Sequence, residues 1–140
     1  MGGRVAWAAS ACLLLAPATG CGSSDSDTLR ATFRRGIDQI RSSADAAKLR
    51  HQLPRTLASL RREQVSSDTE RRGRRLAIAG LEQTLEGVDA QIDFIENDRG
   101  EIEAATRDAM RSERHRKRGA NLLRAAGRAL DVPVGPLEGY

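Results

Sequence analysis

The chain has 140 residues, with 23 basic and 19 acidic side chains and a net charge of +4, and it is long enough for one domain. Between Leu29 and Leu137 stand only 25 Leu, Ile, Val, Phe or Met side chains, Phe33 and Phe94 the only aromatics. That is close to the lower limit for burying enough apolar surface to fold. It excludes a deep core around an enclosed pocket and leaves a thin seam between long helices. Arginine outnumbers lysine 21 to 2, a bias of composition that carries no argument for binding.

Arg4 is the one early charge, and an apolar run follows from Val5 to Ala18. A run of about 14 residues falls short of the roughly 20 that span a bilayer core. A basic start, a short apolar stretch and a small-residue exit make a secretory signal peptide. Two exits overlap. Ala16-Pro17-Ala18 is an A-x-A site for ordinary cleavage, which would leave Thr19 first. Ala18-Thr19-Gly20-Cys21 resembles the lipobox of bacterial lipoproteins, with Ala18 where that pattern prefers Leu.

The resemblance implies cleavage after Gly20 and a thioether-linked diacylglycerol on Cys21. It implies a membrane anchor facing outside the cytoplasm, in the cell membrane or cell envelope. Ala9-Ser10-Ala11-Cys12 repeats the small-residue pattern but comes too early, leaving only Val5 to Ala8 before it. On this reading Cys12 leaves with the signal and the sulfur of Cys21 carries lipid. No thiol then remains for a disulfide, a metal or a nucleophile. The divisions are a signal peptide at 1–20, a lipidated cysteine and flexible Ser/Asp tether at 21–28, a helical domain at 29–130 and an extended tail at 131–140.

Within the helical domain, Phe33, Ile37, Ile40, Ala44 and Ala47 share one helix face, and Thr28 is a candidate cap. Leu53, Leu57 and Leu60 form a second stripe. Pro54 lacks an N–H and disfavours helix at Leu53, so a break or kink is expected there. Val65-Ser66-Ser67-Asp68 reads as a turn, and Ser67 with Glu70 fits a capping box. The next helix places Ile78, Leu81, Leu85, Val88, Ile92 and Ile95 at heptad spacing, continued by Ile102 and Ala109, a coiled-coil-like seam. Gly73, Gly80 and Gly87 fall seven apart on one side of it. They either admit another backbone at close range or are three exposed glycines in line.

Asp98-Arg99-Gly100 ends or weakens that helix, since glycine costs about 1 kcal/mol in a helix interior. A terminal helix is expected from about Gly119 to Leu130, with Leu122, Leu123, Ala126 and Leu130 on its apolar face. Val132-Pro133-Val134-Gly135-Pro136 cannot continue it. The fold class predicted is all-α, an elongated antiparallel hairpin or a small three-helix bundle.

Charge is segregated along the chain. Residues 30–62 carry nine basic and two acidic side chains, net +7; residues 82–108 carry nine acidic and two basic, net −7; residues 111–128 return to net +6. An antiparallel arrangement would set basic against acidic, selecting orientation more than stability, because an exposed pair contributes about 0 to 1 kcal/mol. Arg107, Arg111, Arg114 and Arg118 form one stripe beside His115. The stripe is a candidate contact for anionic lipid or polymer, or else a solvated face. With no aromatic residues among these arginines to stack bases, no nucleic acid is expected.

Chemistry is sparsely equipped. His51 and His115 stand alone, and no E-x-x-H or H-E-x-x-H spacing appears. Glu82, Glu86, Asp89 and Asp93 share a helix face that reads as solvated surface. No phosphate loop, Gly-x-Ser-x-Gly or Ser/His/Asp grouping can be assembled. No catalytic residue, metal or cofactor is expected. The expectation is a lipid-anchored, non-catalytic scaffold or adaptor of the envelope. Its membrane contact would be Cys21, and its seam would be open to a protein partner or a second copy.

Overall fold

The computed structural model describes residues 22–96 and 102–137. The expected signal peptide, Cys12, Cys21, Asp98-Arg99-Gly100 and Tyr140 lie outside the described residues. Four helices follow in order: α1 (Gly22–Ser42), α2 (Ala46–Arg62), α3 (Asp68–Glu96) and α4 (Ile102–Leu130). They pack as a small all-α bundle. Ser26 on α1 hydrogen-bonds Glu70 on α3, and further along Gly36 lies against Leu81, so these two run parallel. Arg50 pairs with Asp89 and Arg61 with Glu82, which sets α2 antiparallel to α3. Arg111 pairs with Asp93, and Gly73 meets Leu130, so α4 also returns antiparallel. The result is up-down-up-down, with α3 central.

The count is four helices where two or three were expected, and the reason lies in the caps. The break in the first half falls at Ser43–Asp45, not at Pro54. The Asp45 carboxylate accepts from the Ala47 N–H at 2.9 Å and the Lys48 N–H at 3.5 Å, capping α2. Helix α2 is continuous through Pro54. An interior proline costs about 3 kcal/mol, and here the helix is held by burial of Leu49, Leu53, Thr56, Leu57 and Leu60. Because α1 stops at Ser42, Ala44 and Ala47 leave the face assigned to them and are exposed.

A second difference concerns the segment read as a tether. Helix α1 starts at Gly22, not after Thr28. Asp25 in its first turn suits the positive end of the helix dipole, and Ser26 is tied to Glu70. The capping box at the start of α3 is as expected. The Glu70 N–H donates to the Ser67 hydroxyl at 3.1 Å, and the Ser67 N–H donates back to the Glu70 carboxylate at 3.2 Å.

Helix α3 uses two faces. Gly73, Ala77, Gly80, Thr84 and Gly87, at alternating spacings of four and three, are buried. Facing them on α4 are Ser112, Gly119, Leu123, Ala126 and Leu130, also buried. A Cβ added at Gly80 would lie 2.8 Å from two Leu123 carbons and 3.1 Å from the Leu123 backbone nitrogen. Added at Gly119, it would lie 2.8 Å from the Thr84 hydroxyl and 3.1 Å from the Gly80 carbonyl. The glycine stripe therefore admits another backbone, and that backbone is α4. Ser112 donates to the Gly87 carbonyl at 2.8 Å across this contact. On the other face, Leu81 is buried beside Gly36 of α1 and Thr56 of α2.

The expected heptad seam is thus only partly the seam that forms. Leu81 and Val88 are buried, Ile78, Leu85 and Ile92 are partly buried, and Ile95 is 60% exposed. Helix α4 continues unbroken through Gly119, so the expected terminal helix is the last part of a 29-residue one. Its end closes with the Val132 N–H donating to the Gly127 carbonyl at 2.9 Å and Asp131 in the left-handed region at φ 55°. Residues 132–137 are non-helical, as expected, but they belong to the core. Val132, Val134 and Leu137 are buried. Val134 lies against Gly127 of α4 and Gly135 against Arg41 of α1, so the segment fills the groove between those helices.

Candidate functional site

Two features of the sequence invited a site: the basic stripe on α4 and the acidic face on α3. The structure places them side by side over part of their length. Arg111 bonds Asp93 at 2.7 Å and lies 3.5 Å from Asp108. His115 Nδ1 is 2.8 Å from Glu86 and 3.1 Å from Gln83. From α2, Arg50 reaches Asp89 at 3.1 Å and Arg61 reaches Glu82 at 2.6 Å. All four carboxylates of the acidic face, Glu82, Glu86, Asp89 and Asp93, are therefore engaged. The basic first half meets the acidic stretch through α2. These pairs are half exposed, which keeps each to about 0 to 1 kcal/mol, and their use is to select the order of helices around α3.

Arg107, Arg114 and Arg118 are exposed along α4. Arg107 reaches back to the Glu103 carbonyl at 3.4 Å, while no ion pair joins Arg114 or Arg118 to another described residue. These side chains do not converge on one point. At 1.5 Å per residue, Arg114 and Arg107 lie about 24 and 35 Å along α4 from Leu130.

The opposite end of the bundle carries a grouping that spacing along the chain does not reveal. There the start of α1, the end of α2, the start of α3 and the end of α4 meet. Arg30 donates to the Leu130 carbonyl at 2.9 Å, satisfying an open acceptor at the end of α4. Thr32 donates to Glu63 at 3.0 Å, and Arg74 donates to the Glu63 carbonyl. Hydrogen bonds from Ser26 first, then from Ser66 and Ser67, hold the Glu70 carboxyl at a pKa of about 2. A hydrogen bond and the charge of Arg71 lower that of Asp68. Arg72, Arg75 and Arg128 are exposed here and make no hydrogen bond or close ion pair among the described residues, and the charge of Arg75 acts with that of Arg71 on Asp68. In sequence they look like ordinary surface arginines; only the antiparallel return of α4 brings Arg128 level with Arg72 and Arg75.

A shallow trough, open to solvent, separates Arg124 and Arg128 from the segment Val132–Pro136. Among the described residues, no group of three or more His, Cys, Asp or Glu is placed to hold a metal ion. No helix among them is long and apolar enough to cross a membrane. At the far end of the α3–α4 hairpin, Ile95, Ile102 and Met110 are 60%, 84% and 64% exposed. No protein-family model, curated protein or solved structure matches the chain.

Proposed function

We propose that this chain is a lipid-anchored, non-catalytic helical protein of the bacterial cell envelope, acting as a scaffold or adaptor. The observation that carries the reading is Ala18-Thr19-Gly20-Cys21, a lipobox-like exit at the close of a signal-like apolar run. Cys21 would carry a thioether-linked diacylglycerol, and two or more fatty chains make such attachment durable where one does not. Two structural features support an adaptor. The seam residues up to Ile92 are occupied within the chain itself, which leaves Ile95, Ile102 and Met110 as the large apolar side chains open to a partner among the described residues. They sit at the end of the hairpin remote from α1's start, so a partner would be held away from the membrane.

Mass spectrometry of the N-terminal peptide tests the anchor. A diacylglyceryl-modified Cys21 is expected; an unmodified N-terminus at Thr19 would show plain secretion and overturn it. Cross-linking in intact cells tests the adaptor role. Adducts captured by the native chain should be lost on Ile102→Glu with Met110→Glu, and their persistence would remove the hairpin end as the contact.

A further inference from the structure

We infer that the end of the bundle bearing Arg72, Arg75 and Arg128 rests on anionic lipid headgroups, so that the bundle stands upright on the membrane. The inference rests on the anchoring proposed above and names the surface that the anchor brings to the lipid.

The first ground is where the chain enters the fold. Helix α1 begins at Gly22, one peptide bond after Cys21, and consecutive Cα atoms are about 3.8 Å apart. One turn later Ser26 is already bonded to Glu70 at the start of α3. The attachment point is thus tied to the end of the bundle formed by the starts of α1 and α3. A lipid on Cys21 has no long tether with which to bring any other part of the molecule to the surface.

The second ground is charge. Residues 22–30, 61–75 and 124–131 build this end and hold nine arginines against six carboxylates, net +3, or +2 once Glu82, the partner of Arg61, is counted with it. Residues 38–51, 86–96 and 102–115 build the other end and hold six basic against nine acidic side chains, net −3, or −2 once Lys117, the partner of Glu113, is counted with it. The molecule is polarised along its length, with its positive end at the anchor. Asp27 lies 3.5 Å from Arg30 and Asp68 pairs with Arg71, each pair cancelling one base with one acid, while Glu70, held by serines, keeps its negative charge within that net. Arg72, Arg75 and Arg128 are left facing solvent. Gly73 packs on Leu130 and Ala129, which sets the three arginines at one level on either side of the α3–α4 contact.

The third ground is range. Attraction to a charged surface extends about 8 Å at physiological salt. Arg72, Arg75 and Arg128 stand about 10–15 Å from the attachment point, two to three helical turns, while Arg118, Arg114 and Arg107 lie about 18–35 Å from Leu130 along α4.

The test uses the chain from Gly22 to Tyr140 without lipid, which contains the whole core cluster of the described residues, Leu29 to Leu137, and circular dichroism first establishes that it is helical. Binding is measured in low and moderate salt to phosphatidylcholine vesicles with and without phosphatidylglycerol. Each basic side chain held at an anionic surface contributes roughly fivefold to binding. Arg72→Gln, Arg75→Gln and Arg128→Gln together should weaken binding to the anionic vesicles on the order of 100-fold. Arg107→Gln, Arg114→Gln and Arg118→Gln remove the same charge and should change it less than about threefold. Circular dichroism confirms that both variants keep their helices. Equal loss in the two variants, or no preference for anionic vesicles, overturns the inference. The two readings fail separately. The charge-matched comparison decides the arginines whatever the state of Cys21, and the N-terminal peptide decides Cys21 whatever the vesicles show.

Discussion

Gly80→Ala sets two effects of opposite sign against each other, and the structure decides between them. In an exposed helix the added methyl would stabilise by about 1 kcal/mol, because glycine is a poor helix former. At Gly80 it would meet Leu123 Cγ and Cδ2 at 2.8 Å and the Leu123 backbone nitrogen at 3.1 Å. Neither a branch carbon nor a backbone atom yields as the tip of a flexible side chain does, and forcing a methyl into a packed contact costs about 1–3 kcal/mol. The balance is a loss of roughly 1 kcal/mol, or about 4 °C in Tm for a domain of this size.

Gly36→Ala is the control. Its Cβ would meet only side-chain ends, Leu81 Cδ1 and Thr56 Cγ2, each at 3.3 Å. Helix propensity then wins, and Tm should rise by roughly 2–4 °C. Thermal melts of both variants followed by circular dichroism give the two signs directly. The double change Gly80→Ala with Leu123→Ala should cost at least about 1 kcal/mol less than the sum of the single changes, since removing the leucine frees the space. A Gly80→Ala variant that melts above the parent would mean that α3 and α4 do not approach at the glycine stripe. The close-packed hairpin would then be wrong.

Acid should weaken the bundle through Glu70. Its folded pKa of about 2 lies below the ordinary value of 4.5, so its contribution is complete above the ordinary value and fades as pH falls from there toward 2. Glu70→Gln should flatten that part of the profile in urea titrations at stepped pH, and an unchanged slope would dismiss the Ser26–Glu70 tie. Deleting residues 132–140 removes buried Val132, Val134 and Leu137 and should cost roughly 3 kcal/mol after the ordering entropy is discounted. A truncated chain that melts with the parent would show the segment to be a passive tail. Asp131→Gly should raise Tm slightly, by about 0.5–1 kcal/mol of stability, because glycine accepts the left-handed backbone at φ 55° with less strain. A lower Tm would mean that the Asp131 carboxylate makes a contribution larger than that strain.

Local chemistry determined several features without reference to the rest of the chain. Ser67 and Glu70 sit three apart because a capping box needs that spacing, and the structure closes it from both sides. The all-α class followed from helical periodicity in Phe33, Ile37 and Ile40 and in Leu53, Leu57 and Leu60, all of them buried. Opposite charges on successive stretches announced that basic and acidic helices would be neighbours. The lipobox-like exit is a linear pattern and stays a matter of sequence.

What the sequence left open depended on competition between distant parts. Pro54 was expected to break or kink its helix, yet burial of leucines on both sides of it outweighs one lost hydrogen bond, so the helix is continuous and the break falls at Ser43–Asp45. Gly73, Gly80 and Gly87 are equally compatible with a bare surface and a tight contact until Leu123 and Leu130 arrive from 43 and 57 residues further along. The segment 22–28 looked like a tether because Ser and Asp are weak helix formers; Glu70 on another helix supplies the partner that Ser26 lacks locally. The basic end is the clearest case. Arg72 and Arg75 stand more than 50 residues from Arg128, and only the antiparallel return of α4 sets them level, because charge adds in space and not along the chain.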